Sequence, residues 1–91
     1  MITFGRKLKH LRQKNHLTQK ELGIALVFPE DSADVRIAQY EADARKPRDV
    51  ILDKMAKILY VPIDVLTVQV LSDTRAYDAA SYWMHELSAT L

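Results

Sequence analysis

The chain has 91 residues, of which 48% are hydrophobic and 27% charged, with a formal net charge of +1 and only two glycines. This composition excludes a disordered chain and suits one small domain made of helices, since residues that break helices are rare. It contains no cysteine, which excludes disulfides, thiol catalysis and cysteine-based zinc sites and fits a reducing compartment.

The first predicted helix covers about residues 3–14. Apolar side chains recur on one face at helical spacing, namely Phe4, Leu8 and Leu11. Thr3 can cap the start of the helix, and Asn15 or His16 is expected to end it.

A second helix is predicted to start after Thr18, because Glu21 follows three residues later and completes a capping box. It continues to about Val27, and Pro29 prevents it from extending further. Gly23 keeps part of its surface small, which permits another helix to approach closely.

A third helix is expected from Ser32, or less favourably Asp31, as its N-cap to about Ala42. Ile37 and Tyr40 are its apolar positions, at helical spacing.

Pro47 opens a fourth helix after the loop 43–46, with an apolar face that includes Met55, Ile58 and Leu59. A short fifth helix covers about residues 62–66. The chain is therefore predicted to be all-α, with a compact five-helix domain over residues 1–66 and a C-terminal linker and helix over residues 67–91.

The predicted C-terminal helix carries an apolar seam with Trp83 beside it. The seam positions alternate at spacings of three and four and are Tyr77, Ala80, Met84, Leu87 and Leu91. Such a heptad pattern predicts a dimer interface, and an equally good reading is that the helix folds back on its own domain. The chain is also compatible with a fragment of a longer protein.

Basic residues are concentrated in two blocks. Residues 1–20 hold six lysines and arginines and no acid, and residues 45–60 hold five against two acids. Residues 21–44 carry six acids and one arginine. If the fold brings the basic blocks together they form one positive surface, although charge alone equally allows ordinary solvated helix surfaces.

Several segments keep an order and spacing that point to one family. These are Phe4–Leu8, Leu11–Arg12, Leu17–Leu22, Ile37–Glu41, Lys46–Pro47 and Pro62–Leu66, with Leu52, Met55, Ala56, Leu59 and Val61 between them. In this arrangement residues 4–66 resemble the lambda-repressor-like (Xre/Cro-type) helix-turn-helix transcriptional regulators. The resemblance implies a DNA-binding domain over residues 1–66 whose third helix reads the major groove.

The resemblance also implies roles for individual residues. With Ile37 and Tyr40 anchored in the core, the base-reading positions are Asp34, Val35, Arg36 and Gln39. Phosphate contacts are implied or expected at Thr18, Gln19, Ser32, Arg45, Lys46, Arg48, Arg6, Lys7 and Lys9. Thr18 is expected to serve mainly as a cap. Arg12 and Glu41 match positions that form an internal ion pair.

The chain departs from the family pattern at four places. The connection through 28–32 is longer than usual, which affects where the third helix begins. His16, Asp43 and Tyr60 stand where glycine is common, which predicts some backbone strain.

The implied function is sequence-specific binding of double-stranded DNA by a cytoplasmic transcriptional regulator, with repression the expected effect. A homodimer through the C-terminal helix and a helix folded back on its own domain both stay open. No enzyme, cofactor, metal, membrane or small-molecule partner is expected. Two alternatives stay open. One is an antitoxin-like DNA-binding protein whose C-terminal helix binds a toxin, and the other is a helical protein-interaction module without DNA binding.

Overall fold

The computed structural model describes residues 3–67, and within that range every regular element is an α-helix. The helices are α1 (Phe4–Lys14), α2 (Gln19–Ala25), α3 (Ala33–Glu41), α4 (Asp49–Ile58) and α5 (Ile63–Thr67). The all-α prediction is confirmed for these residues. The predicted C-terminal helix, with its seam from Tyr77 to Leu91, lies outside the described residues.

One hydrophobic core joins all five helices. Its most deeply buried apolar side chains are Leu8, Leu11, Leu22, Leu26, Ile37, Met55, Leu59 and Leu66. Helices α1 and α4 each present one apolar stripe to this core. Helix α1 packs against α3 and α5, α2 packs against α3, and α4 packs against α5.

The two glycines hold α3 at both of its ends. A β-carbon on Gly23 of α2 would lie 2.7 Å from the Ala33 β-carbon and carbonyl oxygen, at the start of α3. A β-carbon on Gly5 of α1 would collide with the Glu41 carbonyl group, at the end of α3. Both contacts involve backbone atoms, so a side chain at either glycine would push the helices apart.

Helices α1 to α4 end in the same way, in a Schellman motif whose left-handed residue is not glycine. The residues with positive φ are His16 (57°), Val27 (64°), Asp43 (58°) and Tyr60 (59°). At α2, for example, the Val27 N–H donates to the Ile24 carbonyl at 2.9 Å and the Phe28 N–H donates to the Gly23 carbonyl at 3.0 Å. The strain predicted at His16, Asp43 and Tyr60 is confirmed.

Val27 was not expected among the strained positions, and it shortens the second helix. Its left-handed backbone turns the chain away after the C-cap Leu26, so α2 ends at Ala25 and not at Val27. A β-branched residue is rarely found in this conformation, because its side chain crowds the neighbouring carbonyl.

A hydrogen bond of the Asp43 side chain offsets the strain of its left-handed backbone. Its Oδ1 accepts a hydrogen bond from the Gly5 N–H at 2.9 Å, which satisfies a first-turn amide of α1 that has no acceptor within its own helix. Thr3, the predicted N-cap, accepts from the Arg6 N–H through Oγ1 at 3.2 Å. A carboxylate at the start of α1 also interacts favourably with the helix dipole.

We expect Val27→Gly to stabilise the protein by about 0.5–1 kcal/mol, since relief of the left-handed strain exceeds the entropy that glycine adds to the unfolded chain. Little burial is lost, because Val27 is 79% exposed. Thermal unfolding measures the gain. Asp43→Gly is the control: aspartate tolerates the left-handed backbone better than valine, so less strain is relieved, and the bond to Gly5 is lost, so this variant should bring no gain. A lower melting temperature for Val27→Gly would contradict the prediction.

Candidate nucleic-acid interface

Helix α3 presents two different faces. Ile37 and Tyr40 are buried in the core, as predicted. On the other side Val35 is 54% exposed, Gln39 is exposed and Arg36 is half-buried. The structure therefore places the predicted anchors inside and leaves these three candidate base-reading side chains accessible to a ligand.

The start of α3 differs from the prediction in one respect. Ser32 is the N-cap residue by position, but its side chain makes no capping hydrogen bond. Its hydroxyl instead donates to the Pro29 carbonyl at 3.5 Å, because the φ of −127° and ψ of 2° at Ser32 depart from the extended backbone typical of a side-chain cap. The Asp34 carboxylate accepts from the Val35 N–H at 2.9 Å.

The Arg36 guanidinium lies over an aromatic ring. Its central carbon is 4.9 Å from the centroid of the Phe28 ring, which is within the range of a cation–π interaction. Phe28 belongs to the connection between α2 and α3, the segment that is longer than usual. The ring thus brings the long connection into direct contact with a predicted base-reading residue.

Four cationic side chains surround one open concavity next to this ring. Arg36 contributes from α3, and Arg45, Lys46 and Arg48 contribute from the segment between α3 and α4. The concavity has a volume of about 330 Å³, and its remaining lining residues are Phe28, Tyr40 and Ile51. No carboxylate of residues 3–67 lines it, so the positive potential there is not neutralised locally and favours an anion.

The first basic block does not join this concavity. Arg6 and Lys9 are exposed but lie outside its lining. Lys20 lies 3.5 Å from Glu30 in an exposed ion pair. The concavity therefore joins Arg36 to three residues of the second block, Arg45, Lys46 and Arg48, and to none of the first block.

Lys7 was expected to contact phosphate, and that prediction is wrong. The residue is only 1% exposed, so its ammonium group cannot reach a phosphate on a duplex. Burial lowers the pKa of Lys7 below its ordinary value, because the charged form is poorly solvated there. Lys7 instead lines an adjacent cavity of about 470 Å³ together with Asp43 and Asp49.

The predicted internal ion pair is confirmed. The Arg12 Nε donates to Glu41 Oε2 at 2.6 Å, and its Nη2 donates to Oε1 at 3.2 Å. The two side chains are only 10% and 5% exposed. Arg12 also donates from Nη1 to the Leu17 carbonyl at 2.8 Å. One guanidinium therefore ties α1 both to the end of α3 and to the residue that precedes the N-cap of α2.

Gln19 joins the same network at the start of α2. Its Nε2 donates to Glu41 Oε1 at 3.1 Å. An amide nitrogen carries two N–H groups, so this bond fixes the orientation of the side chain and leaves one donor for another acceptor. The half-buried Gln19 is thus held beside the N-terminus of α2 with a donor available for a phosphate.

The capping box at α2 is confirmed. Thr18 Oγ1 accepts from the Glu21 N–H at 3.0 Å, and the Glu21 carboxylate accepts from the Thr18 N–H at 2.9 Å. Hydrogen bonds from the backbone and then the side chain of Thr18 lower the pKa of Glu21 below its ordinary value. The ionised Glu21 would oppose a phosphate beside Thr18, so the main role of Thr18 is that of a cap.

Phe28 is the functional candidate that sequence reasoning missed. In the sequence Phe28 stood out only as part of a long connection. Its contact with Arg36 links that connection to α3, so no helical spacing predicts it. The one available signal was an aromatic side chain just before the polar turn 30–32, because a large aromatic side chain usually packs against other residues.

Over residues 3–67, no helix has both the length and the apolar character needed to cross a membrane. No protein-family model, no curated protein and no solved structure matches the chain.

Proposed function

We propose that the chain is a sequence-specific DNA-binding transcriptional regulator that inserts α3 into the major groove. One observation carries the proposal: α3 buries Ile37 and Tyr40 while Arg36 stands beside Arg45, Lys46 and Arg48 around one cationic concavity. A reading helix needs this combination, because its inner face must be fixed to a scaffold while its outer face meets base edges between phosphate contacts.

Each outward side chain has a base that it suits chemically. Arg36 can donate two hydrogen bonds to guanine, and Gln39 can pair with adenine. Val35 can contact a thymine methyl group. The Asp34 carboxylate accepts from the Val35 N–H at 2.9 Å, which leaves it acceptor capacity for a cytosine amino group.

Phosphate contacts would come from the segment after α3 and from the start of α2. Arg45, Lys46 and Arg48 belong to that segment, and the remaining Gln19 donor lies at the N-terminus of α2. These contacts would fix the position of the protein on the duplex without selecting a sequence.

Repression is the regulatory effect that we propose, because a small domain bound across a promoter can exclude other proteins from it. We also propose a homodimer, with residues 67–91 as its interface, since two copies related by a two-fold axis would match a two-fold operator.

Selection of bound sites from random duplex DNA tests the proposal most directly. The full chain should enrich one short motif, and a two-fold repeat of that motif would support the dimer. Enrichment must survive a wash at moderate salt, because non-specific binding through phosphates weakens steeply there. If the chain enriches no motif at any salt concentration, the proposed function is wrong.

Lys46→Ala should weaken binding to all duplexes by a similar factor and flatten the log–log dependence of affinity on salt by about 0.9, the value for one phosphate contact. Titrations across a salt series measure both effects. Lys57→Ala is the matched control, because this exposed lysine lies on α4 outside the concavity. An equal change of slope in both variants would show that the concavity has no special role.

A further inference from the structure

We propose that Phe28 is a positioning residue that holds the Arg36 guanidinium in place for base recognition, and that this is what the long connection between α2 and α3 does. The inference rests on the proposed function. It adds a determinant of specificity that does not itself need to contact a base.

The Phe28 ring is held from several directions. Its backbone N–H closes the Schellman motif of α2 by donating to the Gly23 carbonyl at 3.0 Å. Its ring centroid lies 6.3 Å from that of the buried Tyr40, with the planes tilted by 54°, a favourable arrangement for two aromatic rings. Phe28 also packs against the edge of the core. The ring is therefore a rigid surface for Arg36.

The Arg36 guanidinium has no hydrogen bond or ion pair with any of the residues 3–67. Its neighbours around the concavity, Arg45, Lys46 and Arg48, are cations that repel it. The contact with Phe28 at 4.9 Å is the attractive interaction that opposes this repulsion.

A contact through the ring face leaves the guanidinium donors available. The π face of Phe28 attracts the positive charge and accepts none of the N–H groups in ordinary hydrogen bonds, so the fork that would recognise guanine stays intact. A long, flexible side chain that is already restricted before binding loses less conformational entropy when the complex forms. Removing the ring should therefore reduce the preference for the cognate base pair.

The experiment first locates the base pair whose preference depends on Arg36, from the selected site and the Arg36→Ala variant of the full chain. Preference is then the ratio of affinities for that site and for the site with this base pair exchanged. Phe28→Leu should lower the ratio about two- to fivefold, the range of an exposed cation–π contact. Phe28→Tyr and Phe28→Trp should retain it, because both keep an aromatic face.

Site-specific replacement of Phe28 by trifluorophenylalanine separates positioning from packing. Fluorination keeps the shape of the ring and weakens the negative potential of its face. It should lower the ratio while leaving the melting temperature and the salt dependence unchanged. In the Arg36→Ala background, neither replacement at Phe28 should lower the ratio further, since the residue on which Phe28 acts is gone.

An unchanged ratio in both Phe28→Leu and the fluorinated protein, with an Arg36-dependent preference in the parent protein, would overturn the inference and leave the proposed function standing. If Phe28→Leu fails to fold, the fluorinated protein alone decides. If the parent protein selects a motif without any dependence on Arg36, the inference is overturned before Phe28 is changed. If it selects no motif, the proposed function fails as well.

Discussion

Arg36→Ala is expected to abolish the preference for one base pair of the selected site, with a loss of about 1–3 kcal/mol of discrimination at that position. The reason is geometric: α3 is fixed through Ile37 and Tyr40, so in the proposed complex the Arg36 guanidinium would meet the same base pair every time. Competition between the selected site and its single-base variants measures the loss.

The control for Arg36→Ala is Arg6→Ala, which removes the same charge from an exposed position outside the concavity. It should leave the preference intact even if total affinity falls slightly, because phosphate contacts carry no sequence information. A preserved preference in Arg36→Ala, or an equal loss in Arg6→Ala, would show that α3 does not read DNA through this face.

Glu41→Ala is expected to lower the free energy of unfolding by about 3 kcal/mol, because it leaves the Arg12 guanidinium largely buried without its carboxylate. The Arg12 and Glu41 side chains are 10% and 5% exposed and share two hydrogen bonds. Gln19 loses its acceptor at the same time. Small domains have about 5 kcal/mol of stability at the low end of the common range, so the variant should be close to unfolding at room temperature.

Urea unfolding followed by circular dichroism measures this change. Glu30→Ala serves as the matched control, since its ion pair with Lys20 is exposed and 3.5 Å long. Such pairs contribute at most about 1 kcal/mol. A loss below about 1 kcal/mol for Glu41→Ala would mean that water reaches the Arg12 site and that the pair is not what joins α1 to α3.

Much of the fold was predictable because its signals are local. The capping box of Thr18 and Glu21, for example, spans four residues. The turns at His16, Asp43 and Tyr60 were instead predicted from positions where the resembled family has glycine. The Arg12–Glu41 pair is a longer-range contact, and it was predicted only through the family resemblance. Resemblance also supplied the outward face of α3, which the burial of Ile37 and Tyr40 supports.

The errors have physical causes. Lys7 was placed on the surface because of its charge, although it is three residues after Phe4 and four before Leu11, on the same stripe of α1 as the core residues. The position of Lys7 on this stripe buries its side chain in spite of the charge. Val27 was taken as helical because nothing in its type predicts a left-handed turn. Phe28 could not be assigned, since its partners Arg36 and Tyr40 meet it only after α2 and α3 have packed.

The glycine contacts at the two ends of α3 have a consequence for how this domain could acquire new targets. Gly23 meets the first residue of α3 and Gly5 meets the last, so the helix is seated by main-chain contacts that do not involve its outward side chains. Exposed residues such as Val35 and Gln39 can therefore be exchanged without altering the orientation of α3 relative to α1 and α2. In the proposed DNA complex, a few surface substitutions would therefore change the target sequence, whereas a single methyl group at either glycine would tilt the helix and alter recognition at every base pair together.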